Sequence, residues 1–167
     1  MSLKLLPSIL TVGNLVFGTM SIVFVLSAEH SIAGVMIIIA AILDVMDGRV
    51  ARKFDASSNF GKELDSLADV VSFGVAPAIL IYSQVLSGYQ WLGLGAIIWY
   101  VVAGALRLAR FNLQTTTGFY QGVPITVGGS LIALLSFISD MISPMFFLIL
   151  TAVLGFLMIS KIRVPKL

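Results

Sequence analysis

Cysteine is absent from this chain of 167 residues, and charged side chains make up only 11% of it. The absence of cysteine excludes a disulfide framework, a thiolate nucleophile and a zinc site built on cysteine. The scarcity of charge excludes an ordinary soluble domain, and a net charge of +2 is too small to indicate nucleic acid as a partner. The expected surroundings are therefore membrane lipids.

Apolar residues, by contrast, make up 59% of the sequence. A helix needs about 20 mostly apolar residues to cross roughly 30 Å of hydrocarbon, so the chain has room for about six spans. The apolar runs and their breaks predict helices at 7–27, 31–53, 60–83, 91–112, 122–139 and 143–160. The predicted fold class is an all-α integral membrane protein: one domain, 1–167, built as a six-helix transmembrane bundle. The first apolar run is long enough for a permanent helix, so we expect no cleaved signal peptide.

The basic residues all fall on one side of this predicted bundle. By the positive-inside rule, both termini are then cytoplasmic, and the protein is a multi-pass component of the cell membrane. On the opposite side the only ionisable side chains are those of Glu29, His30 and Asp140. Any site that needs charge is therefore expected at the cytoplasmic side.

Carboxylates gather at the predicted cytoplasmic ends of the second and third helices. Asp44 and Asp47 are three residues apart, and Asp65 and Asp69 are four apart, so each pair lies on one face of its helix. Charge in a span is costly and usually faces the bundle interior, where it serves a site. A short loop makes the two helices antiparallel neighbours, which predicts that the four carboxylates converge.

Four ionised carboxylates in a low-dielectric setting repel one another, so cations are expected among them. Oxygen-only ligands, with the single histidine on the opposite side, favour magnesium, manganese or calcium over zinc or copper. Gly48 and Gly61 lie one turn from an aspartate and leave space for a nucleotide, while Arg52 is placed to neutralise phosphate. These residues predict a site for a phosphorylated nucleotide and divalent metal ions.

The spacing of these residues is D-x-x-D-G-x-x-A-R, then eight residues, then G-x-x-x-D-x-x-x-D. It resembles the signature of the CDP-alcohol phosphotransferases, whose members share a six-helix core and displace CMP from a CDP-activated donor. The resemblance implies two divalent cations, Mg²⁺ or Mn²⁺ with Ca²⁺ as an alternative, and a homodimer. It implies Asp69 as the catalytic base, Asp44, Asp47, Asp65 and Asp69 as metal ligands, and Gly48, Ala51, Arg52 and Gly61 as CDP-binding residues.

Within that family, the chain looks like the phosphatidylserine synthase branch. The stretches that carry this likeness are LPSILTVGNLVFG, FGKELDSLADVVSFGVAPA, LRLARFN and GVP. A glycerol phosphate branch would typically have proline and lysine where this chain has Ser66 and Val70. The branch implies transfer of a phosphatidyl group from CDP-diacylglycerol, or an archaeal analogue, to the hydroxyl of L-serine.

The binding residues for serine are predicted from the polar side chains that are left. The carboxylate of serine needs a cation, and the fourth predicted helix and the loop after it offer Arg107, Arg110, Asn112 and Gln121. Asn14 is placed to reach the nucleotide or the head group from the first helix. Two alternatives stay open: the arginines extend to the lipid head groups, and Asn14 is an interhelical hydrogen-bond partner.

Two competing functions also stay open. A sister transferase would use inositol phosphate or glycerol phosphate as acceptor. A cation transporter would also place carboxylates in the membrane, but its path should continue to the opposite face, where the helices have no ionisable residue.

Overall fold

The structure, a computed structural model, describes residues 6–54, 58–113, 119–160 and 163–165. Its helices are α1 Leu6–Leu26, α2 His30–Lys53, α3 Asn59–Asp69, α4 Ala76–Gln84, α5 Gln90–Leu113, α6 Ile125–Ser136 and α7 Pro144–Ile159. The predicted helical segments are confirmed to within a few residues at each end. The third of them is formed by α3 and α4, which a π-helical segment, Val70–Val75, joins into one continuous span.

Within the described residues, four helical spans are long and apolar enough to cross a membrane: Pro7–Leu26, His30–Lys53, Asn59–Gln84 and Leu86–Leu113. The two remaining apolar helices are shorter, with 12 residues in α6 and 16 in α7. This pattern confirms a multi-pass membrane protein. The count of six spans and the side on which the termini lie stay predictions.

The burial pattern of α1 is the reverse of that in a soluble protein. Thr11 and Asn14 are buried at 3% and 0% exposure, while Val12 and Val16 are 46% and 48% exposed. Exposed apolar side chains suit contact with lipid, whereas polar side chains in a membrane need partners inside the protein. The polar face of α1 therefore points into the bundle, toward α2 and α3.

The π-helical segment is held by three other helices. Gly18 of α1 packs so closely that an added Cβ would lie 2.7 Å from the Cα of Ser72, and one on Gly129 of α6 would lie 2.7 Å from the Cα of Phe73. From α5, the Tyr100 hydroxyl donates a 2.8 Å hydrogen bond to the Phe73 carbonyl. A π-turn leaves carbonyls free for such bonds and often marks a functional site. Here it directly follows Asp69 and so fixes the end of α3.

One short two-stranded ribbon departs from the all-α prediction. Residues Phe119–Gln121 (β1) pair antiparallel with Arg163–Pro165 (β2). Between β1 and α6, Gly122 adopts a φ of +74°, and the Val123 amide donates to the Leu157 carbonyl at 3.2 Å. The chain before α6 is thus fastened to the last turn of α7, which brings the two strands side by side. These two segments are so far apart in sequence that no local pattern predicts their pairing.

Candidate metal and nucleotide site

Three of the predicted carboxylates converge. Asp44 and Asp47 lie in the last turns of α2 and Asp65 lies in α3, and each offers an oxygen within 4.8 Å of the others. Asp47 is only 6% exposed. The convergence follows from the sequence spacing and from the short loop between α2 and α3, because both helices also pack against α1. The predicted acidic cluster is therefore confirmed for these three residues.

The fourth aspartate, Asp69, lies one turn further along α3 and is 7% exposed. Its carboxyl group is beside that of Asp44. The side-chain amide of Asn14 donates to Oδ1 of Asp69 at 3.4 Å, and the Asn14 carbonyl accepts a 3.0 Å bond from the Ser72 hydroxyl. Asp69 thus lies at one edge of the three-carboxylate cluster, and the hydrogen bond from Asn14 connects it to α1.

The cluster fits a hard divalent cation. Among the described residues, no hydrogen-bond donor reaches Oδ1 of Asp65, although this oxygen is buried. A buried carboxylate oxygen without a partner is costly, and such exceptions call for an explanation such as an ion. Carboxylate oxygens are the ligands that Mg²⁺, Mn²⁺ and Ca²⁺ prefer. A cation between Asp44, Asp47 and Asp65 would satisfy this oxygen and offset the repulsion among the three.

A small cleft of about 100 Å³ adjoins the carboxylates where α1, α2 and α3 meet. It is lined by Pro7, Ser8, Thr11, Asp47, Gly48, Ala51, Ser58, Gly61, Lys62 and Asp65. Three of the predicted CDP-binding residues, Gly48, Ala51 and Gly61, are therefore in one cleft with two of the carboxylates. The Cβ that Gly48 lacks would meet no other atom within 4 Å, so the cleft is open above this residue.

Two other features shape the edges of the cleft. Arg52 is exposed, and its Nε donates to the Gly48 carbonyl at 3.2 Å, which holds the guanidinium next to the cleft. Ser58 caps α3 by accepting a 3.0 Å hydrogen bond from the Gly61 amide. The first turn of α3 therefore forms one wall of the cleft, and the positive end of this helix dipole favours anions there.

Of the residues on α1, only Asn14 was predicted at the site, and the three that line this cleft were not. Pro7, Ser8 and Thr11 are lining residues, and the Thr11 hydroxyl donates a 2.7 Å hydrogen bond to Oδ2 of Asp47. The available signal was periodicity, because Thr11 is three residues before Asn14 and so lies on the same face of α1.

The predicted serine-binding residues contact different elements. Arg107 is a buried residue of α5, whereas Arg110 is exposed and donates to the Ile159 carbonyl of α7 at 3.4 Å. Asn112 donates a 3.0 Å hydrogen bond to the hydroxyl of Ser66 on α3. Ser66 directly follows Asp65, so Asn112 lies close to the acidic cluster. The side chain of Gln121 lies outside the described residues. The assignment of these four residues to serine stays a prediction.

An apolar groove adjoins the carboxylates on the side of α6. Two overlapping cavities of about 370 and 420 Å³ share the lining residues Ala41, Val45, Ser130 and Leu134 of α2 and α6. Thr126 lines the larger cavity and also lies beside the Asp44 carboxyl. The acidic cluster is therefore next to a polar cleft and next to an apolar groove.

Comparison with known proteins adds to this geometry. The sequence profile of the CDP-alcohol phosphatidyltransferase family matches residues 4–163. The chain is 38% identical over 161 residues to the CDP-diacylglycerol–serine O-phosphatidyltransferase of Bacillus subtilis, covering 96% of this chain and 89% of that protein. It is 37% identical over 173 residues to the protein of that name in Helicobacter pylori, covering 98% of this chain and 73% of that protein. It is 46% identical over 131 residues to the protein of that name in Methanocaldococcus jannaschii, covering 78% of this chain and 62% of that protein.

Proposed function

Because the chain belongs to the CDP-alcohol phosphatidyltransferase family, we propose that it transfers the phosphatidyl group of a CDP-lipid to the hydroxyl of L-serine. The products are phosphatidylserine and CMP. One observation carries the proposal: Asp44, Asp47 and Asp65 converge beside a cleft that Gly48 and Gly61 leave open. Serine as the acceptor is supported by the names of the relatives, which are similar to this chain over most of its length.

The nucleotide end of the donor occupies the cleft in this proposal. Gly48, Ala51 and Gly61 let the nucleotide approach the backbone, and Arg52 lies near the diphosphate. The four aspartates would hold two divalent cations, Mg²⁺ or Mn²⁺. When bound, such cations polarise the diphosphate and neutralise the charge that develops on the departing CMP.

The acceptor is activated by Asp69. Its carboxylate takes the proton of the serine hydroxyl as the hydroxyl oxygen bonds to the lipid-side phosphorus, and the bond from that phosphorus to the CMP oxygen breaks. The hydrogen bond from Asn14 holds the Asp69 carboxylate in place during this step. Serine is bound by Arg107, Arg110, Asn112 and Gln121, whose cationic and amide groups suit a carboxylate and a hydroxyl.

The lipid end of the donor lies in the groove between α2 and α6. Its apolar walls suit a hydrocarbon chain, and Thr126 and Asp44 lie where this groove adjoins the carboxylates. We place the site at the cytoplasmic side of the cell membrane, because the basic residues gather around the same helix ends. We also propose a homodimer, which the small residues of the helices permit.

The acceptor is tested by measuring CMP release from CDP-diacylglycerol in detergent micelles with serine, glycerol phosphate or inositol phosphate. We expect release with serine alone, and phosphatidylserine as the lipid product. Equal or faster release with either of the other acceptors contradicts the serine assignment but leaves the family reaction intact. Cation flux in liposomes without CMP release from any acceptor would contradict both and favour the transporter.

The cleft is tested with a leucine at Gly48. A Cβ at this position meets no atom, so Gly48→Leu should fold, but its longer side chain would fill a cleft of only about 100 Å³. We expect KM for CDP-diacylglycerol to rise by at least about tenfold, which corresponds to roughly 1.4 kcal/mol of lost binding. KM for serine should change little.

Gly95→Leu is the matched control, because Gly95 is also inside a helix, and its Cβ too would meet no atom within 4 Å. It carries the same change in helix propensity, but Gly95 does not line the cleft. If the two variants have the same KM for CDP-diacylglycerol, the cleft is not the nucleotide site.

A further inference from the structure

The Thr11 hydroxyl donates a hydrogen bond of 2.7 Å to Oδ2 of Asp47, one of the three converging carboxylates. The two residues are 36 positions apart and lie on different helices. Both are almost fully buried, at 3% and 6% exposure. Water therefore does not compete well for this bond, which makes it stronger than an exposed one.

The direction of the bond follows from the chemistry of the two groups. A hydroxyl has one proton, and an ionised carboxylate can only accept. The Pro7 carbonyl is also within reach of the Thr11 hydroxyl, at 3.0 Å, but the contact with Asp47 is shorter and its acceptor is charged. The proton therefore points to Asp47, and the carboxylate cannot rotate without losing the bond.

We propose that Thr11 is a positioning residue for the metal centre: it fixes the Asp47 carboxylate in the orientation that brings an oxygen of Asp47 close to those of Asp44 and Asp65. Each of these three residues has an oxygen within 4.8 Å of the others. A carboxylate in a fixed orientation loses less rotamer entropy when it binds a cation, and groups that hold ligands in this way contribute substantially to metal affinity. Thr11 itself need not touch the cation or the substrate. The inference rests on the proposed function only in requiring a cation at these carboxylates.

The test is Mn²⁺ affinity, measured by isothermal titration calorimetry on the purified full chain without CDP-lipid or serine. Thr11→Val keeps the shape of the side chain and removes the hydroxyl, and we expect it to weaken Mn²⁺ binding by about 10–100-fold. Thr11→Ser restores the hydroxyl without the methyl group and should bind Mn²⁺ within about threefold of the unchanged protein, by the usual scatter of such single-interaction effects. In activity assays, extra Mn²⁺ should restore most of the turnover of Thr11→Val.

Thr151→Val is the matched control. Thr151 is fully buried and donates at 2.7 Å to the carbonyl four residues earlier, but it lies on α7. It should leave Mn²⁺ affinity unchanged. If Thr11→Val does not fold, Thr11→Ala takes its place, since a smaller side chain cannot overpack the site.

Two results would overturn the inference. If Thr11→Val binds Mn²⁺ as tightly as the unchanged protein, the hydroxyl does not position a ligand, even if KM for CDP-diacylglycerol rises. If Thr11→Ser is as weak as Thr11→Val, the methyl group matters rather than the hydrogen bond. Failure of the unchanged protein to bind Mn²⁺ would instead contradict the metal centre, which separates this inference from the proposed function.

Discussion

CMP release should fall by about 10²–10⁴-fold when Asp69 is replaced by Asn, the range that a general base contributes. The amide has nearly the shape of the carboxyl group but cannot accept the proton of the serine hydroxyl. Its oxygen can still accept the hydrogen bond that Asn14 now gives to Oδ1 of Asp69, so the local structure should persist. The measurement is single-turnover CMP release at saturating Mn²⁺, together with the Kd for CDP-diacylglycerol.

Binding of CDP-diacylglycerol should survive this change, because Asp69 is not among the side chains that line the cleft. Asp140→Asn is the control: it makes the same chemical change on an exposed residue near the start of α7, and should retain full activity. Near-normal turnover of Asp69→Asn would refute the base assignment. A loss of binding equal to the loss of turnover would indicate that Asp69 serves only as a metal ligand or a structural residue and not as the base.

The convergence of the carboxylates could be predicted because it depends on local rules. Helical spacing puts Asp44 and Asp47 on one face, and the short loop after α2 keeps the start of α3 close to the end of α2. Burial of charge in an apolar chain then leaves only the bundle interior for them. The structure confirms this for the group of Asp44, Asp47 and Asp65.

The role of α1 could not be predicted in the same way. A single sequence does not predict which residue of α1 lies beside Asp47, because that depends on the position of α1 along the axis of α2. The close packing of Gly18 on Ser72 fixes this position, and it brings Thr11 to Asp47 and Asn14 to Asp69. These are tertiary contacts, and only the polarity of the residues on that face of α1 hinted at them.

The π-helical segment and the ribbon were missed for related reasons. The run after Asp69 continues the mostly apolar pattern of the predicted helix, and the extra residue in its turn is stabilised by bonds from elsewhere, such as that of Tyr100 to Phe73. The pairing of Phe119–Gln121 with Arg163–Pro165 joins segments separated by two helices. Single-sequence patterns report neither kind of contact.

Replacement of Asp65 by Asn separates the metal centre from the stability of the fold. Without a cation, the carboxylates of Asp44, Asp47 and Asp65 repel one another, and Oδ1 of Asp65 has no hydrogen-bond partner among the described residues. The neutral amide removes this repulsion and keeps the volume. Most substitutions inside a protein lower the unfolding temperature, but this one should not. The metal-free variant should unfold at a temperature equal to or higher than that of the metal-free unchanged protein.

Mn²⁺ should stabilise the unchanged protein but not the Asp65→Asn variant. At about 100 times its Kd, a ligand adds about 2.7 kcal/mol to stability, and for a chain of this size that should raise the unchanged protein's midpoint by roughly 5–10 °C. Asp65→Asn should show almost no rise, and its CMP release should fall by at least about 100-fold, as expected for loss of a ligand. Glu63→Gln, an exposed neighbour on α3, is the control and should behave like the unchanged protein. If Mn²⁺ stabilises Asp65→Asn as much as the unchanged protein, Asp65 is not a ligand; if the metal-free variant unfolds at a clearly lower temperature, the repulsion argument fails.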